Sequence, residues 1–469
     1  MVSAGAAGNP DLPPGGIVRD FLPRPAIAPA AVWTFPTPTR ARLSNGIELM
    51  IFELPGQHVI SAHLVLDVPL NAEGRDIEGV ATICARTLDE GTLRHGGDEF
   101  AELLETEGAG FGVDLSLSGL QAVLDVPASH LDRALELFAE AVTEPSLTDR
   151  DVHRHVQLRL AEIEQAQANS SHIASIAFRA AIFEESRRAA RMNGGEPETV
   201  RQVTPDAVGA FHHDHFGPGG TSLILAGDFG DDPVAVAERS LGSWRNDDQR
   251  RVVAEDPAPG IRRMVLLDRP GAVQADVRLG GFGIDRLDPR WSAISVASYA
   301  MGGAFLSRLN AVLREEKGYT YGVRMNFGPL RTGGSFAVQG SFRTEVVVEA
   351  LAITCELIEV DQAPFTSQEV DDAVAFFTGV SPLRYATAEG VADQAATQAL
   401  AGLPDDYVDR SLALLRSVTP ETATEAYRSV VHPDELTLVV VGDAERLADP
   451  LLATGFPDLE VRTLDQTQP

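Results

Sequence analysis

Two cysteines in 469 residues, Cys84 and Cys355, are too few for a disulfide framework or a thiolate metal site. They fit a reducing compartment, and both are expected to be small buried hydrophobes. No apolar run is long enough to span a bilayer. The first thirty-odd residues are rich in Pro, Ala and Gly but lack the basic start and continuous apolar stretch of a secretory signal. They are expected to form an arm, disordered or extended along the body, and the protein is expected to be cytoplasmic. Basic charge is scarce: 38 Lys and Arg against 68 Asp and Glu give a formal charge of −30. Such a field repels nucleic acid and can draw in basic peptides, although a heavily solvated surface accounts for it equally well. Paired histidines are missing too. Of eleven, no two stand four residues apart, so no helix carries two imidazoles one turn apart on one face. The two His-dense stretches, His153-Arg154-His155 and His212-His213-Asp214-His215, fall where surface helices are expected, in structural or incidental roles.

What the chain does contain is one unit written twice. Val203-Thr204-Pro205 precedes a helical stretch and the apolar run Leu223-Ile224-Leu225-Ala226-Gly227-Asp228. At an offset of 215 residues, Val418-Thr419-Pro420 precedes another helical stretch and Leu438-Val439-Val440-Val441-Gly442-Asp443. The same offset relates Pro55-Gly56 to Pro270-Gly271, each followed by an alternating strand. Three anchors at one spacing imply two homologous halves. The expected organisation is an arm over 1–32, a first domain over 33–243, a polar, Pro-containing linker over 244–259, a second domain over 260–460 and a tail over 461–469. Hairpin-like strands mixed with long helices make each half α+β, an antiparallel-rich sheet with packed helices. Each Thr-Pro reads as a helix N-cap followed by proline at the first helical position.

At this point the sequence resembles the zinc peptidases that include pitrilysin, insulin-degrading enzyme and the mitochondrial processing peptidase. Leu43-Ser44-Asn45-Gly46 is similar to the family's opening. Ala304 to Leu309, running into Leu313-Arg314-Glu315-Glu316-Lys317-Gly318-Tyr319-Thr320-Tyr321-Gly322, is similar to its second-half signature. The likeness covers nearly the whole chain after residue 33. It implies two α+β domains per subunit and two subunits closing like a clamshell around a chamber.

The family's metal site is His-x-x-Glu-His on a helix, with a third ligand Glu about seventy to eighty residues on and the first Glu as general base. The matching helix here is Gly79-Val80-Ala81-Thr82-Ile83-Cys84-Ala85-Arg86, before Gly91-Thr92. The flanking glycines set the register, placing Thr82 and Arg86 at the ligand positions and Ala85 at the base; Glu162 falls at the third-ligand position. Arg86 puts a permanent cation where the zinc would sit. The resemblance also implies that an Arg and a Tyr seven residues later bind substrate backbone near the scissile bond, which here are Arg314 and Tyr321. Gly318 is expected to end the helix in a left-handed conformation, with Arg314 in the last turn and Tyr321 on the following strand, on the same face as Tyr319. Met301-Gly302-Gly303-Ala304 reads as a close-approach loop lining the chamber or as a helix-packing glycine pair.

Several members of the family divide the work between a metal-bearing subunit and one that keeps only the Arg–Tyr pair. This chain resembles the second kind. It implies no cofactor in this chain, zinc in a homologous partner, a peptide substrate, and no nucleic-acid or membrane partner. The competing readings are an architectural or peptide-binding paralogue in which Arg314 and Tyr321 are leftovers, and a stand-alone peptidase, which the helix sequence disfavours.

Overall fold

The apolar runs flanking each repeat anchor fold into two sheets that match in all but one edge strand. In the computed structural model, which describes residues 33–453 and 458–464, the first half supplies β1 (Thr39–Arg42), β2 (Glu48–Glu53), β3 (Val59–Leu66), β4 (Gly110–Ser116), β5 (Gly119–Pro127) and β6 (Ser222–Gly227). The second supplies β7 (Met264–Asp268), β8 (Gln274–Gly283), β9 (Val323–Pro329), β10 (Gly334–Arg343), β11 (Thr437–Gly442) and β12 (Leu459–Thr463). The expected arm over 1–32 lies outside the described residues. Hydrogen bonds order the strands β1-β2-β6-β3-β5-β4 and β12-β7-β11-β8-β10-β9. β6 runs parallel to β2 as β11 does to β7, and both then pair antiparallel with the strand that follows the Pro-Gly turn. Gly56 and Gly271 hold those turns at φ +85° and +74°, a conformation that suits glycine. The chain is α+β with two homologous domains, as the repeat implied.

The sheets differ at one edge. β1 pairs antiparallel with β2, whereas its place in the second sheet is taken by β12, which arrives from the other end of the chain and runs parallel to β7. β12 therefore crosses the boundary expected at residue 460. The helix starts follow the sequence closely: Thr204 and Thr419 each accept a hydrogen bond from the backbone N–H three residues on, with Pro205 and Pro420 at the first helical position.

The central strands are buried on both faces, so each sheet needs two covers. On one face of the first sheet, Ile60, Ala62, Leu64, Leu66, Leu223 and Leu225 join a core with Ile83, Leu135, Phe138 and Phe211 of the same half. The other face is covered by the helix Ala388–Ala401, which belongs to the second half and packs on β3 and β6. Reciprocally, the first-half helix Ser170–Ile182 covers β8 and β11, with Ile173, Ala177 and Phe178 against Val265, Leu267, Val439 and Val441. Each half thus completes the other's core.

Polar residues are buried under one of these exchanged helices. On the covered face of β3, His63 lies with its Nδ1 accepting from Gln121 Nε2 at 2.6 Å and its Nε2 3.0 Å from Ser61 Oγ, an arrangement that requires a neutral ring. Burial lowers the His63 pKa, with Asp393, Asp125 and Asp114 pulling the other way. His212 is lowered for the same reason, its ring turned inward onto the Val142 carbonyl at 2.8 Å. In the unfolded chain both titrate near the ordinary 6.5. As pH falls through that value, the unfolded state takes up protons that the folded state refuses, so stability is lost. Urea midpoints are therefore expected to fall from pH 7.5 to 5.5, and a His63→Gln/His212→Gln chain is expected to show a flatter profile over that range.

Candidate functional site

The helix Val80–Arg86 starts at Gly79, whose φ of +103° and N–H are fixed by its surroundings: Glu73 Oε1 accepts from Gly79 N at 2.9 Å and Ala81 N at 3.0 Å. Val80, Ile83, Cys84 and Ala85 face the core. Arg86 points toward the helix Asp149–Ala166, where its Nη1 donates to Glu162 Oε1 at 2.8 Å, across 76 residues of sequence. Arg159 adds a longer contact to the other oxygen, Nη1–Oε2 3.3 Å. Led by the hydrogen bond from Arg86, these contacts hold the Glu162 carboxyl below its usual range. The pair is partly open to solvent, at 36 % and 44 % side-chain exposure.

A zinc ion does not fit these residues. Thr82 and Ala85 offer no imidazole or carboxylate, and the one acidic group, Glu162, is engaged by a guanidinium. Among the described residues no group of three or more His, Cys, Asp or Glu side chains is placed to hold a metal ion.

The Arg314 region lies in the second domain. The helical stretch from Arg308 ends in a π-helical turn, Ala311–Glu316, a geometry found often at functional sites, and Gly318 terminates it at φ +63°. Arg314 stands in the last turn, as expected. Its Nη2 donates to the Phe305 carbonyl at 2.9 Å, its Nε to Glu315 at 2.9 Å, and its guanidinium carbon lies 3.6 Å from the Phe305 ring centre. Tyr321 is not on the strand: β9 begins at Val323, and Tyr321 sits in the preceding turn, 96 % exposed. The cause is Thr320, whose hydroxyl accepts from Gly322 N and donates to the Ser341 carbonyl, turning the chain outward before it enters β9. Tyr319 also precedes β9, so the two tyrosines share no strand face. A second π-helical turn, Tyr299–Gly303, packs against β9 so closely that a Cβ on Gly302 would stand 2.4 Å from Met325 N. Gly302 is therefore a packing feature against a strand, whereas Gly303 faces Tyr299 of its own helix.

Two family models match the chain, one described as "Insulinase (Peptidase family M16)" over residues 51–192 and one as "Peptidase M16 inactive domain" over residues 202–376. A Helicobacter pylori protein named "Non-peptidase homolog YmxG" is 24 % identical over 375 residues, 78 % of this chain and 85 % of that one. An uncharacterized zinc protease of Streptomyces coelicolor is 24 % identical over 405 residues, 84 % of this chain and 87 % of its own. The solved structure of a peptidase M16 inactive domain from Pseudomonas fluorescens superposes with a TM-score of 0.80 at 23 % identity, covering 87 % of this chain and 98 % of that one. This chain belongs to peptidase family M16. Its second half matches the model described as the family's inactive domain, and its first half has Thr82, Ala85 and Arg86 where the metal motif would stand.

Other candidate positions of this M16 chain depart from expectation. His153 is at the surface, but His155 is buried, its Nε2 2.8 Å from Glu90 Oε1, so only part of that stretch is a surface face. His212 likewise turns inward, whereas His213 stays exposed. Cys84 is fully buried, as expected; Cys355 is only half-buried. Phe305 and Leu306, both exposed, were not singled out from sequence. The available signal was an adjacent apolar pair between Gly302-Gly303 and a helix start, with no periodic partner.

The assigned register makes a direct prediction. Thr82→His, Ala85→Glu and Arg86→His together, with Glu162 retained, rebuild the ligand set of an M16 metal helix. The triple variant is expected to hold about one zinc per chain by elemental analysis after gel filtration. Arg86→His alone is expected to hold none.

Proposed function

We propose that this M16 chain is the metal-free, substrate-binding subunit of a two-chain peptidase. Its partner would be a homologous chain with His-x-x-Glu-His, which alone would carry zinc. The observation that supports this most strongly is the Arg86–Glu162 ion pair, which occupies the metal position with a fixed cation while the loop bearing Tyr321 remains open to solvent. Arg314 and Tyr321 would then serve the partner's site. A guanidinium and a phenol aimed at one carbonyl can orient the peptide backbone and stabilise an oxyanion. Peptides would bind extended, adding to a sheet edge. Nucleic acid is disfavoured by the −30 charge, and among the described residues no helix is long and apolar enough to cross a membrane. We place the complex in the cytoplasm, with leader-peptide trimming or small-peptide clearance as its task.

One observation favours a second reading, an architectural or peptide-binding paralogue without a proteolytic role: the Arg314 donors are already engaged by the Phe305 carbonyl and Glu315. Gel filtration of the chain mixed with an M16 protein bearing the intact motif separates the readings at their first step. Co-elution as a stable one-to-one complex, with zinc in the partner, is expected. Independent elution of the two at micromolar concentration would refute the proposal.

A further inference from the structure

Placing an arginine in a metal-ligand position removes an acceptor and adds donors. Arg86 uses only Nη1, on Glu162; among the described residues its Nε and Nη2 make no hydrogen bond. That edge is a two-pronged fork matched to a carboxylate, and the side chain is 36 % exposed, so a ligand can reach it. Arg159 stands beside it, its Nε on the Gly194 carbonyl at 3.0 Å and its Nη1 on Glu162 at 3.3 Å. Two guanidiniums therefore share one carboxylate, a local excess of one positive charge in a chain whose formal charge is −30.

We propose that this cluster is a carboxylate receptor: Arg86 takes a carboxylate of a bound peptide on its free edge, with Arg159 supplying charge. The metal position has become a binding position of opposite charge preference. The carboxylate comes from a peptide C-terminus or from an acidic side chain, which share this chemistry. The inference uses the peptide ligand of the proposed function but not Arg314 or Tyr321.

The test is fluorescence anisotropy on the full chain with three fluorescein-labelled peptides of one neutral sequence: the free C-terminal acid, its amide, and the amide with one internal Glu. At low salt, at least one acid-bearing peptide is expected to bind about 10- to 100-fold tighter than the neutral amide, the range of charge-assisted hydrogen bonds. The stronger of the two identifies the source of the carboxylate. Arg86→Gln is expected to abolish the preference. Glu162→Gln, which frees Arg86 from its internal competitor, is expected to strengthen it. Opposite shifts from two partly exposed partners cannot arise from a common folding defect. Arg314→Ala is expected to leave the acid-to-amide ratio unchanged, so failure of the substrate-gripping reading and failure of the receptor are separable. Equal binding of all three peptides, no binding of any, or a preference that survives Arg86→Gln would overturn the assignment.

Discussion

Replacing Arg188 with methionine is expected to cost about 3–5 kcal/mol of folding free energy, the range for stripping one partner from a buried ion pair. Glu73 and Arg188 are 0 % and 4 % exposed at their side chains and meet at 2.8 Å. Glu73 also caps the degenerate metal helix through Gly79 N and Ala81 N, and Arg188 donates to the Asn193 carbonyl, so the pair ties that helix to the segment around residue 190. Burial pushes the Glu73 carboxyl up, and Arg188 is the main influence pulling it back. Without Arg188, the folded state holds Glu73 protonated well above the ordinary 4.5 at which the unfolded chain ionises. Protonation then favours folding, so the deficit relative to wild type is expected to shrink as pH falls toward that value. Urea denaturation at pH 7.5 and 5.5 checks both the size and the pH trend, and Glu73→Gln/Arg188→Met is expected to recover part of the loss.

The second large effect concerns turnover. In a complex with a metal-bearing partner, Arg314→Ala is expected to lower kcat/KM on the order of 10²–10³-fold, the usual consequence of removing one preorganised oxyanion donor. Tyr321→Phe, which removes a single hydroxyl from an exposed turn, is expected to lower it without altering stability. Arg314 also holds Phe305 by its carbonyl and its ring, so Phe305→Ala is the necessary companion. If Arg314 acts on substrate, that variant keeps most of the activity. If Arg314 matters only as a clamp on the loop, the two variants lose the same amount.

Much of this architecture could be read from sequence because the repeat fixes it. Anchors at 203, 227 and 55 recur 215 residues later, and the sheets they nucleate share one strand order except at one edge. Local chemistry was equally legible: Thr204 and Thr419 as caps and Gly318 as a left-handed stop. That Arg86 and Glu162 pair with each other was not read from sequence. What could not be read depends on contacts that no local pattern encodes. An apolar stripe says that the helix Ala388–Ala401 must be covered, but not that the first half's sheet covers it. β12 lies outside the repeat anchors, so nothing in its sequence announced an edge strand parallel to β7. Glu73 and Arg188 are 115 residues apart and read as surface charges until the fold brings them together. Tyr321 is expected on the strand that follows the Gly318 stop, while a single hydroxyl, on Thr320, decides the turn that exposes it.

The measurement that bears most directly on the central claim is hydrolysis of a quenched-fluorescence peptide by this chain alone, by an M16 protein with the intact His-x-x-Glu-His motif alone, and by their mixture. The account predicts no hydrolysis by this chain, little by the partner, and a saturable rise in the mixture that reaches its maximum at equal amounts of the two. Hydrolysis by this chain alone, or a mixture no faster than the partner by itself, would contradict it.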